Sequence, residues 1–302
     1  MKKLVLIGLF LFTSTGLAAQ IVDGRRINKY EHFLSVFATF QQEAPYLKEW
    51  IEYNKLMGVN HFYLYNNNST DNYLQILQPY IDSNEVDLIE RPSHRQANLS
   101  SYRTEALRDA IARSRDETRW LAIIDVDDFL LPLNWGSLTE MLDEHENYGQ
   151  VIVMRRYFGT SHAEKIPEGK LLIETLLYRE EFVPGKINPS KPIVKPQVVE
   201  SADIHECRLK PHCQTKFYND GLEEYPPVIL NHYWTRDLDF LLTVKRERME
   251  KRRKKIWTQE EIDHYSSIYN DVCDEIMLFF APYVRVGLFG EKPEFLFSRS
   301  KS

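Results

Sequence analysis

Three cysteines in 302 residues are too few for a disulfide-built scaffold. No apolar run approaches the roughly 20 residues needed to cross a bilayer, and the run from Leu4 to Phe12 is about half that length. Positive charge is in deficit: Lys and Arg total 38 against 44 Asp and Glu. The net charge of −6 gives no general electrostatic reason to bind nucleic acid. No linker or internal repeat divides the chain. What is present is 43% hydrophobic and 27% charged residues, ample for the core of one large α/β domain or two small ones.

Met1-Lys2-Lys3 is a basic start, Leu4 to Phe12 an apolar stretch, and Thr13 to Ala19 a run of mostly small residues that can be cut after Ala18 or Ala19. That is the pattern of a secretory signal, so export to a periplasm, lumen or medium is expected; a retained short anchor with membrane association is the alternative. Cys207 and Cys213 flank Pro211 and leave two readings open, a small disulfide loop or unbridged thiols. A zinc cluster with His205 and His212 ranks behind both, because the spacing matches no familiar zinc module. Cys273 falls in an expected amphipathic helix.

The richest segment runs from Trp120 to Pro132, where the apolar Leu121 to Ile124 ends in Asp125, Asp127 and Asp128. A buried strand carries such acids only where it emerges into a crevice. If the extended backbone continues, Asp125 and Asp127 share a face while Val126 points away, giving two hard oxygen ligands for Mn²⁺ or Mg²⁺. Solvated turn acids are the bland alternative.

Upstream, strand and helix signals alternate. Phe33 to Phe40 reads as a strand, Pro45 to Met57 as a helix with Leu47, Trp50, Ile51 and Asn54 on one face, and Gly58 as its stop. His61 to Tyr65 is a second strand, followed by the polar loop Asn66 to Asp71, a short helix to Tyr80, a strand at Val86 to Ile89 and a helix from about Ser100 to Arg113. This order predicts an α/β, doubly wound, mostly parallel sheet flanked by helices, with ligands beyond the carboxyl ends of its strands.

The second half is less regular. Gln150 to Tyr157 and Leu171 to Tyr178 read as strands, and the proline-rich Val183 to Pro196 as a loop. Thr258-Gln-Glu-Glu261 is a capping box that opens a final helix through Ile262, Tyr265, Tyr269, Val272, Ile276 and Phe279. Val228 to Leu230 leads to Asn231 and His232, and His232 is a natural third ligand if it converges on the acids. A structural histidine is the alternative. Of the basic run that follows, Arg236 and Lys245 lie nearest His232 and are the candidate phosphate contacts, the rest being a solvated helix face.

Tyr46 to Tyr53, Gly58 to Asp71, Trp120 to Phe129, Lys191 to Pro196, His205, and His232-Tyr233 together resemble the successive motifs of glycosyltransferase family 92. The resemblance implies a GT-A fold, a nucleotide-sugar donor, a divalent metal held by the D-x-D, and transfer to a glycan or other hydroxyl acceptor with inversion. It makes Asp125, Asp127 and His232 the metal candidates, and Asn67, Asp71, Lys195, Arg236 and Lys245 the donor contacts. Asn67 stands where the family has an acid, and Asp128 where it usually has Glu. No base is singled out; Asp128, Glu181, Glu206 and Asp239 are candidates. Residues 1–19 are the leader, 30–285 the transferase domain and 286–302 a tail. Two other classes stay open. Ile-Ile-Asp125-Val-Asp127 also resembles the nucleophile strand of haloacid-dehalogenase-like phosphatases, and a catalytically silent carbohydrate-binding GT-A domain shares the fold.

Overall fold

The computed structural model describes residues 30–92, 99–218 and 220–290. The expected leader, residues 1–19, lies outside them. In the first half, β1 (His32–Phe40), α1 (Ala44–Leu56), β2 (His61–Asn66), α2 (Tyr73–Asp82), β3 (Val86–Glu90), α3 (Leu99–Ser114) and β4 (Thr118–Ile123) alternate as the pattern predicts. Then come β5 (Asp128–Pro132), α4 (Leu138–Glu144), β6 (Gln150–Tyr157), α5 (Leu172–Thr175), β7 (Tyr178–Arg179) and β8 (Ser190–Val194). They are followed by β9 (Val199–Ser201), β10 (Arg208–Leu209), β11 (Thr215–Tyr218) and β12 (Val228–His232). A helical stretch begins with α6 (Leu238–Phe240), widens into a π-helical turn at Leu241–Lys245 and continues as α7 (Arg246–Arg253). Last are α8 (Gln259–Ser267), β13 (Val272–Cys273), a 3₁₀ turn at Ile276–Phe279 and α9 (Ala281–Phe289).

The main sheet runs β3-β2-β1-β4-β8-β6-β12-β5, with β11 beside β6. Strands β3, β2, β1 and β4 are parallel; β8 is antiparallel to both β4 and β6, and β5 is antiparallel to β12. β1 is apolar on both faces, sending Leu34, Val36 and Ala38 toward α1 and Phe37 toward α3, as a strand covered by helices on both sides must. Leu47, Trp50, Ile51 and Asn54 are all buried, and each of the apolar three contributes about 1.5–3 kcal/mol or more by leaving water. Trp50 Nε1 donates to Asp128 O at 2.9 Å and Tyr53 Oη to Leu130 O at 2.9 Å, so α1 fixes β5. Gly58 ends that helix at φ 99°, a left-handed conformation where a Cβ would also strike Thr139.

Several expectations for the second half are corrected, and of the two cysteine readings the unbridged one is seen. Leu171 to Tyr178 is not a strand: the buried Glu49 carboxylate accepts the N–H groups of Leu172 (2.7 Å) and Ile173 (3.1 Å), starting α5 instead. Within the expected 183–196 loop, residues 190–194 form β8, in the middle of the sheet. Proline is tolerated there because the β4 ladder covers only Ile193 and Val194, leaving Pro192 paired on the β6 side alone. The capping box at Thr258 forms, but α8 stops before Tyr269 (φ 62°), where Asn270 turns in to accept Ser161 N at 2.7 Å and Val272 pairs with Arg179. All three cysteines are free, with Cys207 buried and Cys273 exposed in β13. α9 also carries helix to Phe289, past the expected start of the tail at 286. Among the described residues, no helix is long and apolar enough to cross a membrane.

Candidate active site

After Ile123 the backbone does not stay extended. Asp128 N donates to Asp125 O at 2.9 Å, the i to i+3 bond of a tight turn, and the chain reverses into β5. The alternation that would pair Asp125 with Asp127 therefore ends at Asp125. β5 then runs antiparallel to β12 with Asp128 opposite His232, and Tyr233 N donates to Asp127 O at 2.9 Å. This register, rather than the D-x-D spacing, gathers the cluster. Ligand atoms of Asp127, Asp128 and His232 all lie within 4.8 Å of one another, the only such His/Cys/Asp/Glu group among the described residues. His205, Cys207, His212 and Cys213 form no such group.

Asp125 has other partners. Its carboxylate contacts Arg103 from α3 and Arg155 from β6, and lies 3.2 Å from Lys191 Nζ of β8. Arg155 also grips Asp128, with Nε at 3.0 Å from Oδ1 and Nη2 at 2.6 Å from Oδ2. Burial opposes ionisation of Asp128, but Arg155 and His232 outweigh it and hold the carboxyl down to about 2. Burial likewise opposes ionisation of Asp127, and His232 and Lys245 reverse it. Lys245 Nζ sits 3.3 Å from Asp127 Oδ2; burial lowers this amine to about 8 even with Asp127 beside it. Burial, then Arg155 and Arg103, push Lys191 well below the usual lysine range.

His232 Nδ1 tests whether a cation fits. It lies 2.8 Å from Asp128 Oδ1 and 3.3 Å from Asp127 Oδ1, yet it is buried and makes no hydrogen bond of acceptable geometry. An imidazole nitrogen aimed between two ionised carboxylates is a nitrogen–oxygen donor set suited to Mn²⁺, and also compatible with Mg²⁺. The fit supports Asp127, Asp128 and His232 as the holders. Asp125, expected as a ligand, is instead consumed by three cations.

The other expected contacts divide. Arg236 reaches the site but is wholly buried as a brace, bonding Glu43 Oε2 (3.1 Å), Val126 O (3.0 Å) and Tyr233 O (3.2 Å). Glu43 in turn takes Arg248 at 3.0 Å. Asn67 and Asp71 lie in the loop beyond β2, at the same edge of the sheet. Asp71 Oδ2 accepts Ala44 N at 2.8 Å, while its Oδ1 is buried without a hydrogen bond; Asn67 N donates to Phe40 O at 2.9 Å. Lys195 does not join them. β8 runs opposite to β4, so Lys191 is at the site and Lys195 about 13 Å farther along the strand, bound to Glu146 Oε1 at 2.8 Å. Among the base candidates, Asp239 is exposed beside Lys165 at 3.8 Å, and Glu181 and Glu206 are exposed. Arg103, Arg155 and Lys191 had been overlooked as site residues. Arg155 was findable, since Val151 to Met154 is an apolar strand ending in charge just as β4 is.

The helix-covered, curled mixed sheet with a carboxylate cluster beyond β4 is the GT-A form of α/β fold. The chain belongs to glycosyltransferase family 92, whose family model matches residues 36–273. A glycosyltransferase family 92 protein of Oryza sativa subsp. japonica is 27% identical over 218 residues, 69% of this chain and 35% of that protein. The galactan beta-1,4-galactosyltransferase GALS2 of Arabidopsis thaliana is 24% identical over 208 residues, 65% of this chain and 39% of that one. The chain thus spans little more than a third of the length of these relatives. Among solved structures, S. aureus TarS (residues 1–349) aligns with 78% of this chain and 69% of its own at 14% identity, TM-score 0.38. The family match displaces the phosphatase reading.

Proposed function

We propose that this chain is a divalent-metal-dependent glycosyltransferase that moves a sugar from a nucleotide-sugar donor to a hydroxyl acceptor, a glycan above all, with inversion. The observation that carries the reading is the buried Asp127–Asp128–His232 cluster at the carboxyl edge of the sheet, walled by cations. A Mn²⁺ or Mg²⁺ ion held there supplies Lewis-acid charge where the departing diphosphate becomes more negative. The chain's own groups do the rest. Arg103, Arg155, Lys191 and Lys245 line the site beside Asp125, Asp127 and Asp128 and offer N–H donors to phosphate oxygens. Arg236 and Glu43 hold the turn in place, and the Asn67 to Asp71 loop offers amide and carboxylate groups to a base or ribose. The leader residues favour action in an exported or lumenal compartment, where a donor must also be supplied. The test is a screen of nucleotide sugars against the full chain with and without Mn²⁺, with Asp127→Ala as control. Metal-dependent donor turnover that the variant loses is expected; no metal- and Asp127-dependent binding or hydrolysis of any donor refutes the proposal. Donor binding without turnover identifies a silent carbohydrate-binding domain.

A further inference from the structure

A second cleft opens against β6 and β8, about 350 Å³ in volume, lined by Ile152, Asn188, Pro189, Ser190, His205 and Glu206. It adjoins the cation wall. Ser190 precedes Lys191 in β8, and Asn188 Nδ2 donates at 3.1 Å to the backbone oxygen of Arg155, whose guanidinium holds Asp128. Its lining is amphipathic. Ile152 and Pro189 offer an apolar surface for the C–H face of a pyranose, and Asn188, His205 and Glu206 offer polar groups for its hydroxyls. His205 Nδ1 lies 3.0 Å from Ser190 O. A carbonyl oxygen can only accept, so Nδ1 carries the proton and Nε2 keeps the lone pair.

Resting on the donor reading above, we propose that this cleft takes the acceptor sugar and that His205 Nε2 is the catalytic base. The acceptor hydroxyl gives its proton to Nε2 as its oxygen bonds the anomeric carbon. The bond from that carbon to the diphosphate oxygen breaks, and its electron pair leaves with the nucleoside diphosphate. The imidazolium then returns its proton to water. Partial burial, with Lys191 and Arg155 adding to it, lowers the pKa of His205 from its ordinary value against the opposing pull of Ser190 O and Asp203, so the ring is neutral and ready at pH 7. Two of the carboxylate candidates compete poorly. Asp128 has both oxygens bound by Arg155, and Asp239 is tied to Lys165.

The test uses His205→Asn, whose amide can reproduce the Nδ1 hydrogen bond but has no group at Nε2, and His205→Ala, which has neither. Donor binding with Mn²⁺ is read by calorimetry, and turnover as transfer to methyl pyranosides and as slow hydrolysis by water. Both variants should bind donor like the wild type and lose on the order of 10²-fold or more in kcat. If His205→Asn turns over like the wild type, or if it loses donor binding, His205 is structural and the proposal fails. A wild type that binds donor but turns none over overturns sugar transfer and this proposal with it, leaving only the donor site. One that binds none overturns the donor reading and this proposal with it.

Discussion

Asp125→Asn distinguishes the turn seen here from the extended D-x-D that sequence alone suggests. The Asp125 carboxylate lies between Arg103, Arg155 and Lys191 and is 15% exposed. Removing its charge leaves buried cations short of a partner, a loss of about 3–5 kcal/mol. Because Arg155 keeps Asp128 and Asn keeps one acceptor oxygen, the lower end applies, about 3 kcal/mol. For a domain of this size that lowers the melting temperature by roughly 6–12 °C. Asp127→Asn should differ in its response to metal. In EDTA it also loses stability, because Lys245 and His232 lose their carboxylate partner, and in addition it loses the stabilisation that Mn²⁺ gives, which is about 2.7 kcal/mol at a hundred times Kd. The assay is thermal unfolding by circular dichroism in EDTA and in MnCl₂. If Asp125→Asn melts with the wild type in EDTA and gains nothing from Mn²⁺, Asp125 is a metal ligand and the account of the turn is wrong.

Arg236→Lys should lower the urea midpoint by the equivalent of about 3 kcal/mol, because one ammonium cannot span Glu43, Val126 O and Tyr233 O. Glu49 titrates near 7 in the fold, raised by burial against the N–H bonds of Leu172 and Ile173, and near 4.5 when unfolded. Between those values the folded state holds a proton that the unfolded chain has lost. Its contribution is therefore fully present below pH 4.5 and falls away as pH rises to about 7, by up to about 3 kcal/mol. Chemical denaturation should show that slope in the wild type minus Glu49→Gln difference; a flat difference contradicts it. Thr258→Ala removes the side-chain acceptor for Glu261 N and should cost about 1 kcal/mol, visible as faster amide exchange confined to the first turn of α8.

The first half of the fold was legible because its periodicities are clean. Leu47, Trp50, Ile51 and Asn54 repeat at helical spacing and are all buried, and β6 has the bounds Gln150 to Tyr157 that its apolar run implies. The site was legible as a place: a strand ending in acids, with His232 arriving from another strand end. Its internal division was not. Whether Asp125 or Asp128 joins Asp127 depends on a reversal after Asp125 and on the register of β5 with β12, and neither is written in local spacing. That Lys191 and not Lys195 stands at the site follows from the direction of β8, which local sequence does not show. The helix at Leu172 is started by Glu49, more than a hundred residues earlier, and no window around Leu172 contains that carboxylate.

The pairing of β5 with β12 also bears on timing. Lys245 meets Asp127 across a sequence separation of 118 residues, and Asp128 faces His232 through the same long-range join. Contacts of that span are slow to form, because a long loop must close before they are made. A nascent chain can thus display its acidic strand end well before any place exists for a ligand. Chemical competence arrives only when the far end of the chain has been made and docked.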